Sequence, residues 1–170
     1  RVVRVLDVLL HQLPVARDAL AVVAQDLEFS AVEQPVEVAQ DGRRGALMLS
    51  VSSKHPDAEA FIDAKLEQGK VTGANVSVRI DDEFMRAAMS GTPYKQQFPV
   101  DSPNPKMTKE IDASALWDKI IYNAWKSAEP GVLFWDTVIR ESVPDCYADL
   151  GYRTSSTNPC GEIPLSPYDS

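Results

Sequence analysis

The chain has 170 residues, a length that fits one ordinary domain with its own core. Hydrophobic residues make up 44% of it and charged residues 25%, which is typical of a soluble globular protein. The net charge of −8 argues against binding to nucleic acid, which needs a basic face. No apolar run reaches the roughly 18 residues that span a bilayer. We therefore expect neither nucleic acid nor a membrane as a partner.

The cysteine content and the two ends of the chain bear on its setting. Cys146 and Cys160 are its two cysteines, and such low usage favours a reducing compartment, so we expect a cytoplasmic protein. The apolar stretch 2–10 is interrupted by charges and lacks a cleavage site, so it does not resemble a signal peptide. The chain begins at Arg1 and ends without a closing element, which suggests a piece of a longer protein.

The first part of the chain is predicted to be helical. Apolar residues recur at helical spacing over residues 1–27, where Pro14 breaks or kinks the run. We treat residues 1–36 as a helical segment without recognisable chemistry or a clear match to a known family. His11 within it is expected to be a surface or core residue.

Alternating strands and helices are predicted next. In chain order they are a buried strand over 46–51, a helix from His55 to Gly69, a half-buried strand over 74–80 and a short helix from Asp81 to Met89. Strands separated by helices favour an α/β fold with parallel pairing.

The rest of the chain is predicted to contain two more helices. In chain order we expect an irregular connection or small ribbon over 90–111, a helix with a wide apolar stripe that Pro130 stops, a helix over 133–141, and a loop with a short strand over 142–170. Three tryptophans fall on the helical stripes and are expected in the core: Trp117, Trp125 and Trp135.

The residues around Cys160 are the candidate for chemistry. Pro159 and Gly161 fix an unusual backbone on either side of the thiol. Asn158 offers an amide and Glu162 a carboxylate that can transfer protons. In an extended backbone residues two apart point to the same side, so these two groups and the thiol would face one substrate. A thiol beside an anion favours radical over thiolate chemistry, although a lone cysteine is also compatible with a small buried hydrophobe.

The run 158–165 resembles the active-site finger loop of ribonucleotide reductase large subunits. Other stretches resemble the same family in the same order: residues 42–48 with 55–57, residues 73–78 with 82–85, and residues 130–136. The form Arg43-Arg44-Gly45-Ala46 is most similar to the adenosylcobalamin-dependent, class II enzymes. The resemblance covers residues 37–170, which we interpret as a partial reductase barrel domain.

The resemblance implies a fold and a set of roles. The fold would be a fragment of the ten-stranded α/β barrel, with the finger loop at its C-terminal end. Cys160 would become a thiyl radical that abstracts the ribose 3′-hydrogen, Glu162 would act as base on the 3′-hydroxyl, and Asn158 would bind the ribose hydroxyls. A loop between the substrate and effector sites would comprise Gly42, Arg43, Arg44, Gly45 and Ala46.

The resemblance also implies a cofactor and partners. These are adenosylcobalamin, a ribonucleotide substrate, deoxynucleotide effectors, a thioredoxin-type reductant and a second copy of the parent chain in a homodimer. Cys146 does not stand where either redox cysteine of the family is expected, so we interpret it as structural. We expect the 170 residues alone to be inactive. No Cys/His cluster surrounds His55, so no metal site is expected.

Two other functions remain open from the residues. A non-catalytic α/β nucleotide-binding or interaction module would keep the motif and lack the chemistry. A thiol-dependent hydrolase is disfavoured, because neither His11 nor His55 is placed convincingly to serve Cys160.

Overall fold

The computed structural model of the protein describes residues 46–66 and 74–167. Three parallel strands form one sheet in the order β1, β2, β5. Their bounds are Met48–Ser52 for β1, Asn75–Ile80 for β2 and Gly131–Phe134 for β5. Helix α1, Ala58–Asp63, lies between β1 and β2 in the chain. The predicted α/β fold with parallel pairing is therefore confirmed.

The two faces of the sheet differ in chemistry because successive side chains of a strand point to opposite sides. The register pairs Met48 with Asn75 and Val78 with Val132. One face is apolar and carries Leu49, Val51, Val76, Val78, Ile80 and Val132. The opposite face, called here the polar face, carries Met48, Ser50, Ser52, Asn75, Ser77, Arg79 and Leu133.

Helices cover the apolar face. Helix α2 spans Asp82–Ser90 and α3 spans Ala113–Ser127. Their buried side chains form one core cluster with those of β2, Ile62 of α1 and Tyr94: the members are Ile62, Val78, Ile80, Phe84, Ala87, Tyr94, Ala113, Leu116 and Ile120. A smaller cluster under α1 contains Leu49, Phe61, Ala64, Ala74 and Val76. In the described part of the chain, both core clusters thus lie between the sheet and its helices.

Acidic N-caps start both long helices. The carboxylate of Asp81 accepts a hydrogen bond from the Phe84 amide at 2.6 Å, as predicted from the Asp81-Asp82 pair. Asp112 accepts one from the Ala115 amide at 3.1 Å. Gly91 follows the last residue of α2 and caps the helix with φ +67°, a left-handed conformation that glycine adopts without strain.

Residues 90–111 form a two-stranded ribbon, one of the two predicted alternatives. Strand β3, Pro93–Phe98, pairs antiparallel with β4, Met107–Asp112. A buried hydrogen bond connects the ribbon to the sheet. The Gln96 side chain donates to the Ser53 carbonyl at 2.9 Å, so the ribbon is tied to the chain just after β1.

The prediction of a helix over 133–141 was wrong at its start. Strand β5 occupies Gly131–Phe134, and helix α4 begins after it and spans Trp135–Glu141. The run is apolar and short, so its local pattern does not distinguish a strand from a helix. Hydrogen bonding to β2 makes residues 131–134 a strand. Space is tight at the start of this strand, where a side chain at Gly131 would approach the Ser77 Oγ to 2.8 Å.

The predicted core position of the tryptophans was wrong for Trp125, which is 79% exposed. Trp117 and Trp135 are half-buried. The buried line of α3 runs through Ala113, Leu116, Ile120 and Asn123. The apolar stripe of this helix is wider than the face that the sheet covers, so Trp125 lies beyond the covered part.

The remaining chain forms a 3₁₀ helix and a hairpin. The 3₁₀ helix spans Pro144–Leu150, with a kink at Tyr147, where a loop was predicted. The helical segment predicted over 1–36 and the predicted helix end at Gly69 lie outside the described residues. Across 46–66 and 74–167, none of the helices has the length and apolar character needed to cross a bilayer.

Candidate active site in the β6–β7 hairpin

The candidate residues lie together on the tip of one hairpin. Strand β6, Ser156–Thr157, pairs antiparallel with β7, Pro164–Leu165. The loop between them, residues 158–163, carries the amide, the thiol and the carboxylate that the sequence indicated. The Gly161 amide donates to the Asn158 carbonyl at 2.9 Å, which closes a tight turn around Cys160.

The amide of Asn158 is used within the loop. Its Oδ1 accepts a hydrogen bond from the Ile163 amide at 2.9 Å, and its backbone N–H donates to the Ile163 carbonyl at 3.1 Å. The acceptor end of the side chain is thereby engaged. The NH₂ end is the one that a bound ligand would meet.

The extended backbone assumed for the motif was wrong. Residues 158–161 form a turn, and Gly161 has φ +89°, so strand alternation does not align the side chains. Cys160 and Glu162 are exposed and Asn158 is half-buried. The structure therefore brings the three candidates to one six-residue loop without placing them on one strand face.

The hairpin tip contacts the polar face of the sheet. The Asn75 Nδ2 donates to the Pro159 carbonyl at 2.6 Å. A Cβ at Gly161 would lie 3.4 Å from the Leu133 side chain and 3.9 Å from that of Met48. All three sheet strands thus supply a neighbour of the tip, on the side opposite the helices.

The base of the hairpin is held by hydrogen bonds to Asp145, which we call the Asp145 clasp. The hydroxyls of Ser142 and Thr154 both donate to Asp145 Oδ2, and the Thr154 amide donates to it at 3.2 Å. Desolvation opposes ionisation of this carboxyl. The hydrogen bonds from Ser142 and Thr154, with the charge of Arg153, outweigh it and hold the pKa of Asp145 below its usual value.

Removing the clasp charge is expected to weaken the fold in a pH-dependent way. Asp145→Asn should lower the free energy of unfolding by about 1–2 kcal/mol at pH 7, because it removes hydrogen bonds to a charged group. The loss is modest because the carboxylate is partly exposed to solvent. Because the folded pKa lies below the ordinary 3.8, the contribution is complete above that pH and disappears as pH falls through the folded pKa. Urea unfolding of both proteins between pH 7 and pH 2 tests this. A difference that persists unchanged to pH 2 would contradict it.

A polar network that the sequence did not indicate follows the ends of β1 and β2. The Tyr94 hydroxyl donates to Asp81 at 2.7 Å and lies 3.2 Å from the Ser53 hydroxyl. Lys54 lies 3.5 Å from Asp81 and 3.1 Å from Glu83. Burial raises the pKa of Tyr94 well above its usual value, so its hydroxyl stays protonated and donates. These groups bind one another, which indicates a structural role.

His55 is buried just before α1. Its Nδ1 accepts a hydrogen bond from the Asp57 amide at 3.1 Å, and its ring stands edge-on to Phe98. Desolvation lowers its pKa against the opposing charge of Asp57. The residue thus fits a helix start, as the sequence indicated. Within residues 46–66 and 74–167, no group of three or more His, Cys, Asp or Glu side chains is placed to hold a metal ion.

Other candidate positions are placed only in part. Ala46 is exposed ahead of β1, whereas Gly42, Arg43, Arg44 and Gly45 lie outside the described residues. Cys146 is exposed on the 3₁₀ helix, and its thiol donates to the Ser142 carbonyl at 3.4 Å.

Comparisons with known proteins agree with the motif. The family model described as "Ribonucleotide reductase, barrel domain" matches residues 29–170, so the match begins eight residues before the stretch recognised in the sequence. A vitamin B12-dependent ribonucleoside-diphosphate reductase of Thermoplasma acidophilum is 40% identical over 132 residues, which are 75% of this chain and 16% of that protein. The protein of the same name from Mycobacterium tuberculosis is 35% identical over 130 residues, 75% of this chain and 18% of that one.

A solved structure shares the fold. The class Id ribonucleotide reductase alpha subunit of Actinobacillus ureae superposes with a TM-score of 0.55 at 19% identity, over 72% of this chain and 20% of that one. The chain spans less than a fifth of the length of the two curated relatives that it matches. With the family match extending from residue 29 to the last residue, the chain belongs to the ribonucleotide reductase family as part of its barrel domain.

Proposed function

We propose that this chain is the part of an adenosylcobalamin-dependent ribonucleotide reductase that carries the radical-bearing cysteine, Cys160. The β6–β7 hairpin would be the finger loop of a ten-stranded α/β barrel. One observation carries this proposal: the Asn158–Glu162 motif sits on a hairpin tip against the sheet face opposite the helices. In α/β barrels the helices form the outer layer, so that face corresponds to the interior, where a finger would point.

The thiol of Cys160 is the proposed hydrogen-atom carrier. It is exposed at the tip, with Gly161 on one side and Pro159 on the other, so a reactant can approach it. As a thiyl radical the sulfur would take the ribose 3′-hydrogen and form the S–H bond again. The relatives are named vitamin B12-dependent, and adenosylcobalamin would supply the radical when bound. We assign no residue of this chain to holding that cofactor.

Glu162 and Asn158 have separate proposed tasks. The exposed carboxylate of Glu162 would accept the proton of the ribose 3′-hydroxyl as the radical forms at C3′. Asn158 would donate its NH₂ group to a ribose hydroxyl oxygen, because the loop already occupies its Oδ1. Binding and proton transfer would thus come from residues on either side of the thiol.

Further participants of the proposed reaction lie beyond these three residues. Loss of the 2′-hydroxyl as water requires two electrons, for which we propose a cysteine pair recharged by a thioredoxin-type reductant. Deoxynucleotide effectors would act through residues 42–46. The complete enzyme is proposed to be a cytoplasmic homodimer that reduces ribonucleoside di- or triphosphates.

An assay of nucleotide reduction tests the proposal. A complete reductase polypeptide that contains these 170 residues is expected to reduce ribonucleotides only when adenosylcobalamin and a dithiol are added. The 170 residues alone are expected to show no turnover, because Cys146 and Cys160 do not supply the redox pair. A complete polypeptide that binds nucleotides without reducing any of them would instead support a non-catalytic nucleotide-binding module.

A further inference from the structure

Asn75 makes a hydrogen bond between the sheet and the hairpin tip. It is the first residue of β2 and lies on the polar face. Its Nδ2 donates to the Pro159 carbonyl oxygen at 2.6 Å, across 84 positions of sequence. The side chain is exposed, so it has little packing role of its own.

The acceptor of this bond belongs to the peptide group of the thiol residue. The carbonyl of Pro159 and the amide nitrogen of Cys160 form one rigid plane. Fixing the oxygen therefore fixes the direction in which the Cys160 backbone leaves that plane. Gly161 also lies close to the sheet, because a Cβ built there would be 3.4 Å from the Leu133 side chain and 3.9 Å from that of Met48. Residues on both sides of Cys160 thus lie next to strands of the sheet, and the Asn75 hydrogen bond holds one of them.

We propose that Asn75 is a positioning residue for the thiol of Cys160: its amide donor holds the Pro159–Cys160 peptide on the polar face of the sheet. This inference rests on the proposed function of Cys160. The donor is the essential feature, since a carbonyl oxygen can only accept. An aspartate at position 75 has nearly the same shape but presents an oxygen to an oxygen, so the hairpin tip would be repelled.

Two variants and a control test the anchor in the 170-residue chain. Asn75→Asp and Asn75→Ala are expected to speed amide hydrogen exchange at Gly161 by about three- to tenfold, which corresponds to the net free energy of one such hydrogen bond. The NMR signals of Cys160 should shift while those of Cys146 stay in place. Asn104→Asp makes the same charge change at an exposed position of the β3–β4 turn, and it should leave Gly161 exchange unchanged.

Turnover separates positioning from a merely structural role. In the complete reductase, Asn75→Asp should lower kcat about tenfold, because a misplaced thiol slows the chemical step. The Kd for nucleotide and the melting temperature should stay near those of the parent enzyme. Gly161 exchange in Asn75→Asp equal to that in Asn104→Asp would overturn the inference. If Cys160→Ser keeps its turnover, the proposed function fails while the exchange result still decides whether Asn75 anchors the loop.

Discussion

Cys160→Ser in the complete reductase is expected to reduce ribonucleotide turnover by about three orders of magnitude or more, as removal of a residue that forms the reacting bond does in other enzymes. Serine keeps the size of the side chain and its ability to donate a hydrogen bond. Its O–H bond is much stronger than an S–H bond, so it does not exchange hydrogen atoms with carbon reversibly. The loss should appear in kcat, with nucleotide binding largely retained, because Asn158 and Glu162 remain in place.

The chain offers a matched control for this variant. Cys146 is also an exposed thiol, and it lies on the 3₁₀ helix Pro144–Leu150 outside the hairpin loop. Cys146→Ser should leave turnover within about twofold, since serine can also donate to the Ser142 carbonyl. Steady-state kinetics and nucleotide binding by calorimetry measure both effects. Retained turnover in Cys160→Ser would refute the assignment of this cysteine.

Phe84→Ala is expected to destabilise the fold by about 3–5 kcal/mol, the usual loss when a buried phenylalanine is truncated. Phe84 belongs to α2, and its side chain is fully buried in the core cluster that contains residues of β2 and Tyr94 of the ribbon. It stands edge-on to Tyr94, with ring centroids 5.1 Å apart. The variant loses both the buried area and this ring contact, and it leaves a cavity in the largest core cluster.

Urea unfolding monitored by circular dichroism measures this loss. Met89→Ala is the control on the same helix, because Met89 is 84% exposed and its truncation should change the free energy of unfolding by less than about 0.5 kcal/mol. A loss below about 1 kcal/mol in Phe84→Ala would show that the helices do not form the main core. The expected loss is a large part of the stability of a small domain, so partial unfolding at room temperature is also a supporting result.

Much of the α/β part was predictable because short-range patterns determine it. The alternation over 74–80 identified β2, and the Asp81-Asp82 pair identified the cap of α2. Strand β5 was not predictable in this way. Its four residues have no pattern of their own, and pairing with Ser77 to Ile80 of β2 makes them a strand. The exposure of Trp125 was not predictable either, since an apolar stripe on a helix does not reveal how much of it the neighbouring elements cover.

The common location of the three candidate residues was predictable from the sequence, whereas their geometry was not. The motif identified Asn158, Cys160 and Glu162, and their places on one loop follow from their closeness in sequence. The turn that separates their directions depends on the Gly161 conformation and on the bond between Asn158 and Ile163. Anchoring by Asn75 depends on a contact between distant parts of the chain, which no local pattern indicates.

The two-faced sheet has a consequence for how β2 can vary. Val76, Val78 and Ile80 pack into the core under the helices, whereas Asn75, Ser77 and Arg79 point to the opposite side. Neighbouring positions of this strand therefore face different physical constraints, because one set contributes to the core and the other faces the hairpin side of the sheet. In a saturation library scored for folding, Val76, Val78 and Ile80 should tolerate only apolar residues, whereas the exposed Asn75 should tolerate many residues for folding and few for turnover.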